Sequence, residues 1–257
     1  MFAALRPAKI ISVVVAVVVT FAAIHATSAR EQAPPHLMAA MDLLAAIEPS
    51  DTNYQHHNGV VHFPGDGQGR AECRTDCSGF VDAVLKRDYG LKAAQLSDWL
   101  DANRPLAKHY HAAIKAEHGF QRIPIVSEIG PGDILAITYP AGSKENNTGH
   151  VMLVAGMPKQ RAATEPVVGD TLQWEVTVID ESETGHGKTD TRHRPDKTST
   201  DGLGRGVLRI YSDREGHVAG YAWSILQVSK FQSQSRHNMV IGRIDPDFIR
   251  SLKSDGR

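Results

Sequence analysis

The chain has 257 residues, 41% of them hydrophobic, with a formal net charge of -1. That length supports one sizeable core or two small ones. The balanced charge excludes the basic excess that a protein neutralising nucleic-acid phosphates would carry, so no nucleic-acid partner is expected.

The single long apolar run, Ile10 to Ile24, follows Arg6 and Lys9 and precedes Ala26-Thr27-Ser28-Ala29. This is the layout of a secretory signal, and the run is short for a membrane span. Residues 1–29 are therefore expected to be removed after Ala29, leaving no stable membrane span; retention as an anchor is the alternative. The working compartment is then periplasmic or secreted, for a bacterial chain. Residues 30–35 read as a polar, proline-bearing linker, and 36–257 as a single domain.

Leu37, Met38, Met41, Leu44, Ala45 and Ile47 recur at helical spacing and predict a core helix ending before Pro49. Residues 50–72 are rich in Gly, Asn, His and Asp and read as a long loop. Tyr54 in that loop is a candidate to hold substrate, or a residue packed at the loop base. His56, His57 and His62, with Cys73 and Cys77, are the residue types of a zinc site. The C-x3-C spacing is not diagnostic and the histidines lack helical spacing, so no metal or other cofactor is expected.

Ser78 to Tyr89 is an amphipathic run closed by Gly90, with Phe80, Val81, Val84 and Leu85 forming the apolar stripe. Asp76 can cap its first turn, and Cys77 then lies at the positive end of the helix dipole, which favours thiolate over thiol. A bridge from Cys77 to Cys73, the one other cysteine, would close a very short loop, add little stability and silence the nucleophile. A free Cys77 is expected, with a buried structural cysteine as the bland alternative.

Two further helices are predicted over Ala94 to Ala102 and Leu106 to Glu117. Six short β-branched or aromatic runs follow: 134–139, 151–156, 174–180, 207–212, 218–223 and 239–244. Helices first and strands afterwards argue for an α+β fold in which the cysteine helix packs on a mainly antiparallel sheet of about six strands. The polar stretch 181–206 reads as a long surface excursion.

A cysteine nucleophile needs a base within hydrogen-bond reach and a third group to orient the base. His150, at the start of a predicted strand, is the candidate base. Asp180, closing the 174–180 strand, is the candidate orienter, and His186 in Gly185-His186-Gly187 competes for that role. On residue types alone, a solvated loop histidine and an ordinary strand-ending aspartate remain open.

Asp76-Cys77-Ser78-Gly79-Phe80, then Pro131-Gly132-Asp133-Ile134, then Gly149-His150-Val151 resembles the signature order of the NlpC-type bacterial cell-wall cysteine peptidases. The likeness covers Tyr54 to Ser182. It implies a papain-like fold, Cys77 attacking an amide carbonyl, His150 moving the proton and the Cys77 backbone N–H helping to stabilise the oxyanion. Tyr54 resembles the family's tyrosine upstream of the cysteine, and Tyr54, Asp76, Ser78 and His186 are the residues placed around the substrate. The implied partner is a peptidoglycan stem peptide, cut between D-glutamate and a diamino acid. The chain departs from the family at the third catalytic position, usually a histidine, where it offers Asp180. Two alternatives stay open: a papain-like amidase or acyltransferase on another substrate, and a non-catalytic secreted domain binding metal or ligand. Oligomeric state is not readable from the sequence.

Overall fold

The computed structural model describes residues 33–143, 147–194 and 199–254. The predicted signal and the first half of the predicted linker, residues 30–32, lie outside the described residues. From Pro35 onward the chain forms one compact unit.

Five α-helices and twelve strands follow in this order: α1 Pro35–Ala46, β1 Thr52–Tyr54, β2 Val60–His62, β3 Glu72–Thr75, α2 Cys77–Tyr89, α3 Ala93–Leu100, α4 Ala107–Lys115, β4 Phe120–Arg122, β5 Ile134–Thr138, β6 Gly149–Val154, β7 Lys159–Arg161, β8 Leu172–Ser182, β9 Gly202–Ser212, β10 Val218–Ala222, β11 Phe231–Ser233, β12 Asn238–Ile244 and α5 Pro246–Ser254. The fold is α+β, as expected, with a sheet larger than expected. Nine strands, not about six, join in the order β11-β10-β9-β8-β6-β5-β12-β4, with β7 on β8. The three additions, β4, β7 and β11, are three-residue strands with too few alternating residues to give a period. Every pairing in this sheet is antiparallel.

The 50–72 segment is more ordered than a loop. It supplies β1 and β2, which flank β3 in a second, three-stranded sheet, β1 parallel and β2 antiparallel to it. The helix α5 also escaped the sequence reading, although Asp245-Pro246 is a good start signal. The Asp245 carboxylate accepts the Asp247 N–H at 2.9 Å, and proline suits the first helical position.

β8 and β9 pair over eleven residues each, from Leu172↔Ser212 to Ser182↔Gly202. Alternation sends Val176, Val178 and Asp180 to one face of β8, and Ile179 and Glu181 to the other. The first face joins Met152, Val154, Leu135, Ile137, Leu208, Ile210, Tyr221 and Ile241 in one buried apolar cluster. The sheet curls around this cluster: Ile125, just beyond β4, bridges to His217 beside β10, and the Val126 N–H donates to the Gly216 carbonyl at 2.9 Å. The helix α2 packs on β6 and β8, and α4 on β5, β6 and β12. The Pro-Gly-Asp motif serves this frame: Asp133 accepts from the Gly130 N–H at 2.7 Å and from Arg243 Nε at 2.8 Å, fixing the turn into β5.

Candidate active site

Cys77 is the first residue of α2, and the chain around it is shaped to put it there. Asp76 is extended, with φ -98° and ψ 177°, and its carboxylate accepts the Gly79 N–H at 2.8 Å. Its backbone carbonyl takes the Phe80 N–H at 3.0 Å. The N–H groups of Cys77 and Ser78 are outside this cap and point from a helix start, where donors lack intrahelical partners. Gly79 is required by packing, because a Cβ there would collide with Thr75 Oγ1. At the far end Gly90 adopts the left-handed conformation that closes the helix. Phe80, Val81, Val84 and Leu85 are buried, so the start of the helix is held by its whole apolar face.

His150 is the second residue of β6, paired with Ile137 of β5. The preceding glycine has a physical reason as well: Gly149 has φ +144°, and a Cβ would run into the Ile137 carbonyl. The His150 Nε2 lies 2.7 Å from Asp180 Oδ2, and the ring also interacts with the Cys77 side chain. Burial alone would deprotonate His150. The charge at Cys77 and the bonded Asp180 carboxylate outweigh it and raise the pKa to about 10. At neutral pH the ring is therefore protonated, an imidazolium held against the Asp180 carboxylate.

Asp180 is fully buried and its two oxygens are divided among cations and donors. Oδ2 meets His150 and also His186 Nε2 at 3.0 Å; Oδ1 accepts Arg192 Nη2 at 2.8 Å. Arg192 is held in turn by Asp190, through Nε at 2.8 Å and Nη2 at 2.8 Å, and Asp190 also accepts the His186 N–H at 2.7 Å. Burial pushes the Asp180 carboxyl upward, but the Arg192 guanidinium, then His186 and His150, hold it well below the usual carboxylate range. A fixed carboxylate thus stands behind the imidazole.

This network corrects the reading of 181–206 as a surface excursion. Strands β8 and β9 run into it from both sides, and His186, Asp190 and Arg192 are buried. His186 is also misplaced as a substrate contact. Both of its ring nitrogens are engaged, Nδ1 with the Trp223 carbonyl at 2.7 Å, and none of its surface is exposed. On sequence alone Asp190 and Arg192 read as a solvated loop or as contacts for an anionic substrate; they are instead buried behind Asp180.

Trp223 covers the pair. Its ring meets His150 edge-on at 5.0 Å between centroids and lies 4.4 Å from His186. Two clefts open at the site, one at Cys77 and one at His150. One, of about 360 Å³, is lined by Tyr54, His56, Asp76, Cys77, Arg104 and Thr148 among others. The other, of about 210 Å³, is lined by Tyr54, Tyr139, His150, Glu183 and Trp223. Tyr54 borders both. Burial, then the charges at Cys77 and Asp76, push its phenol above the ordinary range, so the hydroxyl remains a hydrogen-bond donor. Tyr139 is a second phenol of this kind, linked to Tyr221, whose hydroxyl meets His237 Nδ1 at 3.0 Å. Sequence reasoning did not single it out; its position at the exit of β5, the strand beside His150, is the feature that places it.

Asp76 and Ser78 reach the cleft wall but are committed to the helix start. Ser78 Oγ donates to Asp76 Oδ1 at 3.0 Å, and Arg104 Nη2 donates to Asp76 Oδ2 at 2.6 Å. Burial raises the Asp76 carboxyl, and the Gly79 N–H and Arg104 lower it past its usual value. Cys73 and Cys77 are both free thiols and both buried. Among the described residues no group of three or more His, Cys, Asp or Glu side chains converges on a point that could hold a metal ion, so the structure does not gather His56, His57, His62 and the cysteines into one site.

No family model matches the chain, and no solved structure matches it. It is 36% identical over 221 residues to the "Uncharacterized protein R653" of Acanthamoeba polyphaga mimivirus, an alignment that spans 82% of this chain and 97% of that protein.

Proposed function

The chain belongs to the same family as that mimivirus protein, and we propose that it is a cysteine hydrolase that cleaves amide bonds. One observation carries the reading. A cysteine at a helix start acts on a buried imidazole and raises its pKa, and that imidazole is bonded at 2.7 Å to an ionised carboxylate. That is a nucleophile, a base and an orienter in one line.

In this reading the Cys77 sulfur attacks the amide carbon and the carbonyl electron pair moves to oxygen, where the Cys77 N–H stabilises it. As the C–N bond breaks, His150 gives its proton to the leaving nitrogen, and a thioester to Cys77 remains. Water then loses a proton to His150, adds to the thioester carbon and releases the acid, and the His150 proton and the sulfur charge are restored. Asp180 keeps the imidazole in orientation and stabilises its charged form, while Trp223 keeps water off the bond between them.

The finer assignment is an exported enzyme of the papain-like, NlpC-type class acting on peptidoglycan stem peptides. Its support is the order Asp76-Cys77-Ser78-Gly79-Phe80 and Gly149-His150-Val151, together with the structural reasons found for both glycines. The test is digestion of purified muropeptides followed by mass spectrometry. The expected result is a product cut within the stem peptide by the natural chain and none by Cys77→Ala. Intact muropeptides after exhaustive incubation would remove the cell-wall assignment, and the absence of cleavage across an amide and thioester panel would remove the hydrolase.

A further inference from the structure

The cleft beside Cys77 does not end at Arg104. A second cavity, of about 450 Å³, adjoins it and shares His56 and Arg104 as wall residues. Its lining includes Thr75, Gly79, Asp82, Lys86 and Asn103, so it runs along the first three turns of α2. Arg104 stands between the two chambers. Its Nη2 group donates to Asp76 Oδ2 at 2.6 Å and to the His56 carbonyl at 3.2 Å, which uses both protons on that nitrogen.

That geometry limits what Arg104 can do for a ligand. Both forked modes of carboxylate binding by a guanidinium draw on an Nη2 proton together with a neighbouring nitrogen, so a full fork would have to displace an existing partner. The Nη1 edge remains as a single, rigidly held cationic donor. Lys86 supplies a second cation in the same chamber and forms no ion pair among the described residues. Asp82, between them, is tied by Tyr110, whose hydroxyl donates to Oδ1 at 2.5 Å. Burial shifts the Asp82 carboxyl upward to about 7, with Lys86 and Arg104 only partly opposing it, so Asp82 does not fully offset Lys86, while Arg104 has Asp76 as its partner.

We propose that this chamber is a substrate subsite for a carboxylate, held between Arg104 Nη1 and the Lys86 ammonium, one chamber away from the bond at Cys77. The inference rests on the hydrolase reading for its biological meaning but not for its physical test. An amide substrate whose chain passes Arg104 and ends, or branches, in a carboxylate fits both chambers at once. An uncharged amide of the same shape would leave Lys86 without an anionic ligand and Arg104 with Asp76 as its one ion pair.

The test uses the full chain carrying Cys77→Ala, so that nothing is cleaved, and titration calorimetry. The probes are L-alanyl-γ-D-glutamyl-L-lysine with free carboxylates and the same peptide fully amidated. The carboxylate form is expected to bind at least about tenfold more tightly, as one charge-assisted contact provides. Lys86→Met and Arg104→Met should each bring that preference to within about threefold, while the distant Lys230→Met retains it. Lys86→Met is the cleaner variant, because Arg104 also braces Asp76. Equal binding of the two peptides, or a preference that survives Lys86→Met, would overturn the subsite. Glutarate separates this from the enzyme reading: Lys86-dependent glutarate binding in a chain that cleaves no amide would keep the subsite and remove the hydrolase. Glutarate binding indifferent to Lys86 would remove the subsite alone.

Discussion

Asp180 and Glu181 are neighbours on β8, both fully buried, and they are held in opposite charge states. Asp180 faces the curled interior of the sheet, where Arg192, His186 and His150 converge on it and keep it ionised. Glu181 faces the other way, toward β3. Neither of its oxygens makes a hydrogen bond of ordinary geometry, although the Cys73 thiol and the Thr75 backbone lie close enough to polarise it. Burial and the adjacent Asp180 charge push its carboxyl to about 10, so it carries a proton at neutral pH. One position along a strand changes the face, and the face decides the charge. The Asp180 carboxylate is thus kept ionised by groups from the segment that follows β8, together with His150 of β6.

The sharpest way to break this comparison is to empty the Asp180 site. Asp180→Ala leaves Arg192 buried with one partner fewer and His150 without an orienter. We expect a loss of about 3–5 kcal/mol in stability, read by urea denaturation, and a fall in amide cleavage of at least about a hundredfold. Arg192→Met should approach the same stability loss from the other side, because it strands Asp180 and Asp190 together; near-native stability would mean that the network is wet rather than buried.

Changing the helix start tests a different part of the site. Gly79→Ala forces a methyl against Thr75 Oγ1 and should cost about 1–3 kcal/mol, with a lower rate of Cys77 alkylation because the sulfur moves with the helix. A substitution with no effect on either readout would show that the close approach is not needed.

The comparison also predicts opposite pH dependences. Asp180 has a depressed folded pKa, so its contribution is present above the unfolded value of about 3.9 and is lost as pH falls through the folded one. Glu181 has a raised folded pKa. Its contribution is complete below about 4.3 and is eroded as pH rises through about 10. Glu181→Gln should therefore change activity least of these variants, and should raise the melting temperature relative to the natural chain more at mildly alkaline than at acidic pH. Activity itself should decline on the basic side as His150 loses its proton near pH 10, measured as kcat/KM across pH.

Much of the site was legible because its signals are local. Asp76 as a cap, the stripe from Phe80 to Leu85 and Gly90 as a stop mark Cys77 as a helix start without any knowledge of the fold. The six long strands were visible in their β-branched runs, and with them the strand start that carries His150; Asp180 lies inside β8, which continues past it to Ser182. The short strands β4, β7 and β11 were not, since three residues cannot establish a period and their pairing comes from the neighbours already in the sheet. The role of His186, Asp190 and Arg192 was hidden for another reason. Their burial is balanced by mutual charge and hydrogen bonding, which a hydropathy reading scores as solvent exposure. The mimivirus relationship identifies a family without naming a reaction, so the chemistry rests on the geometry.

The central claim is that the Cys77 sulfur and the His150 imidazole form one reactive pair. Alkylation with iodoacetamide at mildly acidic pH, followed by peptide mapping, addresses it most directly. The account predicts rapid labelling of Cys77, no labelling of Cys73, and at least about a tenfold slower reaction at Cys77 in His150→Gln. Equal, slow labelling of both cysteines, unchanged by His150→Gln, would contradict it.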